Sequence, residues 1–262
     1  MKRHKLTTSL VTTYIGFIAT AHASAPQPLF SPEQEARIGE IAADYLVSHP
    51  EILVTVSHKL QEQQEVRKQK MFALSVMENQ ANLLHDPDTP AYGPDNAKVA
   101  VIEFFDYQCV FCSRFAPELE KVMKAQPDVR YLFKEWPIFG GRWEASLQAA
   151  QQGLTVWQQK GPQAYVTYHN AIYATGHNEG KLTAQDIHGA ASKAGLAAPA
   201  PGDHTASLEK NSNLAEALGL TGTPGIIVMP VSGATPDTIT VFPEAVTAEK
   251  LQAAIRKATR VK

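Results

Sequence analysis

The chain contains two cysteines, and both lie in one run, Cys109-Val110-Phe111-Cys112. The residues before it, Val99-Ala100-Val101-Ile102-Glu103-Phe104-Phe105, read as a buried strand, and Ser113 to Val122 reads as the start of a helix. A dithiol at a strand-to-helix junction restricts both fold and chemistry. The helix N-terminus presents unpaired N–H groups and the positive end of the dipole, so a thiolate is favoured there. Cysteines in such settings have pKa values of roughly 3.5–7.5, against about 8.5 for a free thiol. A bridge closing so short a loop constrains few unfolded conformations, so the pair is read as a redox site rather than a staple.

The first residues set a compartment. Met1-Lys2-Arg3-His4-Lys5 is a basic start, Leu6 to Thr20 is apolar apart from scattered Thr and Ser, and Ala21-His22-Ala23 supplies a cleavage site before Ser24. This predicts a signal peptide over residues 1–23, too short and too polar for a membrane span, and export to the periplasm. No later stretch is apolar enough to cross a bilayer. Removing Lys2, Arg3 and Lys5 from the 24 basic residues leaves 21 against 26 acidic ones, a net charge of −5. That balance argues against nucleic acid as a partner.

About 240 residues remain, and their composition changes near residue 90. Ser31-Pro32-Glu33-Gln34 reads as a capping box with proline at the first helical position. Ile38, Ile41, Tyr45 and Leu46 then share one helical face, and His49-Pro50 interrupts it. A second helix restarts at Pro50 and is expected to reach about Leu84. Its register is apolar at both ends (Leu53, Val56 and Leu60; Leu74, Met77 and Leu84) and polar between Gln61 and Lys70. A segment with so little core of its own is expected to pack its apolar ends against copies of itself, making residues 24–90 a helical oligomerisation region with its linker.

His85 to Asn96 is rich in proline, glycine and Asx residues and is expected to be a solvated turn; its carboxylates lack the spacing of a calcium loop. After Val99–Phe105 and the dithiol helix, Val129-Arg130-Tyr131-Leu132-Phe133 reads as a second strand, parallel to the first. Residues from about 140 to 220 are helical by composition, interrupted at Pro199, Pro201 and Gly202. Strands follow at 225–229 and 238–242, and Thr247 caps a last helix through Leu251 and Ile255. The fold class expected is α/β: a thioredoxin fold over residues 91–262, with a helical insertion at about 140–220, preceded by the N-terminal helical arm.

Three segments, Glu103-Phe104-Phe105-Asp106-Tyr107-Gln108-Cys109-Val110-Phe111-Cys112, Lys134-Glu135-Trp136-Pro137-Ile138 and Leu218-Gly219-Leu220-Thr221-Gly222-Thr223-Pro224-Gly225, resemble the DsbA/DsbC/DsbG group of thiol–disulfide oxidoreductases over roughly residues 85–260. The stretch from Phe30 to Leu60 is similar to the N-terminal oligomerisation region of ScsC-type proteins. The resemblance implies that Cys109 is an exposed attacking thiol and Cys112 a buried resolving thiol that closes on it as a disulfide. Glu103 matches a buried acid that would shuttle the proton of Cys112. Pro224 matches a cis-proline opposite the dithiol, and Thr223 a position that pairs with substrate backbone. Threonine there is similar to DsbC-type isomerases, and the edge could take a substrate strand. Val110 and Phe111, between the cysteines, complete the substrate-binding set. They lack the proline or histidine often found there, which gives the thiolate less help.

The function these features imply is an exported disulfide isomerase or reductase, self-associated through its N-terminal helices, with a trimer favoured by the resemblance. Its partners would be misfolded or reduced exported proteins and a membrane redox protein that reduces or oxidises the dithiol. No cofactor or resident metal is implied. Alternatives are a dithiol oxidase acting as a monomer and a copper-binding thiol carrier, since soft thiolates select Cu(I) and ScsC-like relatives are associated with copper tolerance. A chaperone-like role for the N-terminal helices is compatible with all three. The histidines show no HExxH spacing, so His169, His177 and His188 are expected to pack or to lie on the surface. Trp136, Trp143 and Trp157 are expected in the core or lining a groove. No G-x-S-x-G, P-loop or GxGxxG occurs.

Overall fold

The capping box at the start of the first helix forms as its residues dictate. In the computed structural model, which describes residues 29–197 and 202–260, the Ser31 hydroxyl accepts the Gln34 N–H at 3.3 Å and Gln34 Oε1 accepts the Ser31 N–H at 2.9 Å. The expected signal peptide, Pro199 and Pro201 lie outside the described residues. Helix α1 (Pro32–Ser48) stops at His49, before Pro50, and helix α2 (Glu51–Glu78) follows.

The chain divides into two units at Lys59/Leu60. In the first, no residue of α1 is buried, and Ile38, Ile41, Tyr45, Leu53 and Val56 are all exposed.

The second unit begins inside α2 and holds everything that follows. Past Glu78 the expected long helix breaks at Asn79, and a short helix α3 (Gln80–Leu84) follows. Next come β1 (Ala91–Tyr92), β2 (Val99–Phe105), α4 (Val110–Ala125) and β3 (Arg130–Glu135). Helices α5 (Glu144–Lys160), α6 (Pro162–Ala174), α7 (Ala184–Lys193) and α8 (Thr205–Ala217) form the expected helical insertion. The chain returns to the sheet with β4 (Gly225–Pro230) and β5 (Thr240–Phe242), and α9 (Ala248–Ala258) closes it, capped by Thr247.

The sheet order is β1-β3-β2-β4-β5. Strands β2 and β3 run parallel, with Glu103 opposite Phe133 and Phe105 opposite Glu135, and the remaining pairs are antiparallel. Side chains alternate across the sheet. Val101, Phe105, Tyr131 and Phe133 join one core with Phe115, Leu119 and Val122 of α4, Tyr165 and Ile172 of α6, and Leu251 and Ile255 of α9. Ala100, Ile102, Phe104, Leu132 and Ile227 join a second core with Phe72, Ala73 and Val76 of α2, Leu83 of α3, and Leu214 and Leu218 of α8.

That second core changes the reading of the arm. The sequence extends the oligomerisation region to residue 90, whereas the boundary between the units falls at Lys59/Leu60. The C-terminal end of α2 covers a sheet face, and Leu84 packs there too, while Leu74 and Met77 stay exposed. The loop from His85 is also not a solvated turn throughout. It contributes β1, paired antiparallel with β3, and it buries Asp86 in an ion pair with Lys134 at 3.0 Å. Lys134 Nζ also donates to Thr89 Oγ1 and to the Asn82 carbonyl, and Lys210 reaches Asp86 at 2.7 Å. A lysine on a buried strand needs such partners, because an unpaired buried charge is costly. Finally, the strand expected at 238–242 is shorter, holding only Thr240–Phe242.

Candidate active site

The expected strand–dithiol–helix junction is present, but the helix starts inside the motif. Cys109 is the N-cap of α4, with extended backbone, and its sulfur accepts the Cys112 N–H at 3.4 Å. Asp106, at the turn out of β2, positions this start. Its carbonyl accepts the Cys109 N–H at 3.0 Å. Its carboxylate accepts the N–H groups of Gln108 (2.7 Å) and Phe139 (2.9 Å) and the Ser146 hydroxyl (2.7 Å).

Both thiols are free and both are buried. For Cys112 this matches expectation. For Cys109 it is a correction: the residue expected to be exposed is only 3% accessible. Its sulfur turns inward to donate to the Thr223 carbonyl at 3.2 Å, and the exposed member of the motif is Phe111, with the Arg114 guanidinium 5.6 Å from its ring centre. Val110 is half-buried.

The proton affinities of the two thiols diverge. The hydrogen bond from the Cys112 thiol draws the Cys109 pKa down from 9.0 to about 6, against opposition from burial. The N–H groups of Cys112 and Phe111 add to that lowering, as a helix N-terminus should. Burial pushes Cys112 well above the ordinary thiol range, and its hydrogen bond to Cys109 and the charges of Cys109 and Glu103 push the same way.

Glu103 lies on the β2 face that joins the α4 core, 1% accessible, with neither carboxylate oxygen hydrogen-bonded. Burial, then the charge of Cys109, raises its pKa from 4.5 to about 8. The Thr223–Pro224 peptide is cis. Thr223 Oγ1 is buried with no partner in the structure, so a hydroxyl beside the dithiol is uncommitted. The fold thus brings Cys109, Cys112, Glu103, Thr223 and Pro224 together.

Three further buried polar side chains, Glu135, His169 and Gln108, lie in the same core with no role legible in the sequence. Glu135, at the end of β3, is fully buried and accepts the hydroxyls of Tyr107 (3.0 Å) and Tyr165 (2.7 Å) on one oxygen. His169 is buried among Phe105, Phe133 and Tyr173, where burial lowers its pKa to about 4. Gln108 is also fully buried. The signals are Glu135 closing the strand Arg130–Glu135 beside Lys134 and Asp106-Tyr107-Gln108 abutting Cys109, but their partners are distant in the chain.

Among the described residues no group of three or more His, Cys, Asp or Glu is placed to hold a metal ion. None of their helices is long and apolar enough to cross a membrane. A groove of about 770 Å³ between α2, β5 and α9, lined by Glu65, Gln69, Lys70 and Lys257, contains none of the residues above.

A family profile described as Thioredoxin matches residues 85–257, and one described as Copper resistance protein ScsC N-terminal domain matches residues 34–66. No curated protein matches. Among solved structures, Salmonella enterica Typhimurium BcfH is 38% identical with a TM-score of 0.73, covering 86% of this chain and 96% of that one. Proteus mirabilis ScsC in a transitional conformation is 26% identical with a TM-score of 0.60, covering 89% of this chain and 99% of that one. A periplasmic thioredoxin-like protein from Salmonella enterica serovar Typhimurium is 29% identical with a TM-score of 0.58, covering 68% of this chain and 95% of that one.

Proposed function

The chain belongs to the thioredoxin family, as a thiol–disulfide oxidoreductase of the ScsC/DsbA type, and from that premise we propose that it is an exported, self-associating protein disulfide isomerase or reductase. The observation that carries the reading is Thr223 before the cis Pro224, its carbonyl against the sulfur of Cys109, in a dithiol whose two thiols have opposed proton affinities, Cys109 low and Cys112 high.

The chemistry follows from that asymmetry. The Cys109 thiolate attacks one sulfur of a substrate disulfide. A Cys109–substrate bond forms, the substrate S–S bond breaks, and the departing sulfur leaves as a thiolate that takes up a proton. In isomerisation a different substrate thiolate then displaces Cys109, and no electrons are gained or lost overall. In reduction Cys112 gives its proton to the Glu103 carboxylate and attacks the Cys109 sulfur, leaving a Cys109–Cys112 disulfide and a substrate reduced by two electrons. A membrane redox partner would then return those electrons. Glu103 serves as base only when ionised, which at pH 7 and a pKa of about 8 is roughly one molecule in ten. Val110, Phe111, Thr223 and Pro224 would form the surface on which the substrate lies.

Self-association is supported by the exposed apolar positions of α1 and the N-terminal part of α2, within the segment matching the ScsC N-terminal domain. Lone exposed apolar residues need no explanation, but a repeated row of them does. A trimer is the number the resemblance favours. Export to the periplasm is supported by the basic–apolar–Ala-x-Ala start of the sequence and by the periplasmic thioredoxin-like relative. The test is refolding of a scrambled-disulfide protein beside sedimentation of the same sample: an oligomer that restores native pairings supports the proposal.

A dithiol oxidase is the second reading, and the low pKa of Cys109 favours it. Stabilising the thiolate stabilises the reduced protein, which makes the disulfide form a stronger oxidant. A monomer that oxidises reduced substrates and leaves scrambled ones unchanged would select it.

A further inference from the structure

The residue before the dithiol anchors a loop from a different part of the fold. Gln108 is fully buried and adjoins Cys109. Its carbonyl accepts the Glu179 N–H at 2.9 Å, and its side-chain oxygen accepts the Gly180 N–H at 2.8 Å. These two bonds tie the connection between α6 and α7 to the peptide unit immediately before Cys109.

The connection carries an unusual residue there. Glu179 has φ of 50°, and among the described residues it is the only non-glycine with positive φ. That region suits glycine or asparagine far better than a long charged side chain. The chain could not simply shift the position by one. Gly180 follows at φ of 91°, and a Cβ there would lie 2.8 Å from Trp143 Nε1. Glu179 is exposed, so its carboxylate is not retained for packing. The charge on the dithiol's own helix is the opposite one, Arg114 over Phe111.

We propose that Glu179 is a specificity residue: held at the dithiol by Gln108, its carboxylate selects disulfide substrates with a basic residue next to the attacked cysteine. The proposal rests on the oxidoreductase reading above, with Cys109 as the attacking thiol. Exposed backbone strain beside a reactive centre is kept where position matters, and here it holds the main chain of Glu179 one hydrogen bond from the peptide unit that precedes the nucleophile. A charge carried there steers a substrate without taking part in sulfur chemistry.

The test uses the full chain and three peptides, each a mixed disulfide with glutathione, with Lys, Gln or Glu beside the peptide cysteine. The measurement is the ratio of kcat/KM values for the Lys and Glu peptides. An exposed ion pair supports a preference for Lys of about two- to fivefold, which should shrink at high salt. Glu179→Gly keeps the positive φ available and should abolish the preference, and Glu179→Lys should reverse it. Circular dichroism of both variants checks that the fold is retained. A ratio that stays the same in the wild type, Glu179→Gly and Glu179→Lys overturns the proposal. Absence of exchange with every peptide, including the neutral one, would instead overturn the oxidoreductase reading.

Discussion

The sulfur of Cys109 accepts the main-chain N–H of Cys112, so a single atom is both the cap of α4 and the thiolate that the cap stabilises. The fold and the reactivity of the motif therefore share one contact. Cys112 acts twice on its partner, through this N–H and through its thiol, and the thiol has the larger effect on the Cys109 pKa. Replacing Cys112 with Ala should raise the Cys109 pKa well above about 6, whereas Cys112→Ser, which retains a donor, should hold it lower. Cys112→Ser should also accumulate mixed disulfides with substrate, and Cys109→Ser should abolish turnover. Thiolate absorbance against pH in the two Cys112 variants measures the first effect; equal midpoints would show that the thiol contributes nothing.

Glu103 should reveal itself in both stability and rate. Its folded pKa is raised, so the native state holds a proton that the unfolded chain releases, and stability attributable to it falls as pH rises from 4.5 to about 8. A rise of that size corresponds to roughly 4–5 kcal/mol. The stability of Glu103→Gln relative to the wild type should therefore rise by about 4 kcal/mol between pH 4.5 and pH 8, starting from a variant about 1 kcal/mol or more less stable at pH 4.5, where only the cost of burying the amide is felt. Urea unfolding at the two pH values measures this. In rapid-mixing experiments the same variant should lose the rise in mixed-disulfide resolution through pH 8, slowing it about 10²-fold or more.

Thr223 has an uncommitted buried hydroxyl beside the Cys109 sulfur. Thr223→Val keeps the shape and removes the hydroxyl, so it should move activity from isomerisation towards oxidation. Scrambled and reduced forms of one substrate, assayed in parallel, give the ratio. Identical ratios would leave specificity to Val110 and Phe111.

The boundary at Lys59/Leu60 sets how much of the arm can be removed. Deletion through Lys59 should leave a folded monomer with dithiol chemistry but without isomerase activity, as sedimentation and refolding assays would show. Deletion through Leu84 should fail to fold, because it removes Phe72, Val76 and Leu83 from a core. Phe72→Ala alone should cost about 3–5 kcal/mol by chemical denaturation.

That contrast shows where the sequence was legible. Strand β2 is legible to its end residues, because seven consecutive buried positions form an unbroken apolar run apart from Glu103. The caps at Ser31 and Thr247 were also readable, since a cap involves neighbours in sequence. The end of α2 was harder. Patterns of 3.5 and 3.6 residues coincide over a few turns, so the register that marked Leu74 and Met77 for a partner copy could not show that Phe72 and Val76 meet this chain's own sheet. The burial of Cys109 depends on Thr223, 114 positions away, and that of Asp86 on Lys134, 48 positions away. Strand β1, with two residues, is too short to carry a period.

The most direct test of the redox assignment is alkylation of the reduced protein with iodoacetamide across pH 4–10, with each cysteine followed by mass spectrometry. Cys109 should react with a midpoint near pH 6, while Cys112 stays unmodified through neutral pH. A Cys109 midpoint near 9, or Cys112 reacting as fast as Cys109, would contradict the assignment of Cys109 as nucleophile and Cys112 as resolving thiol.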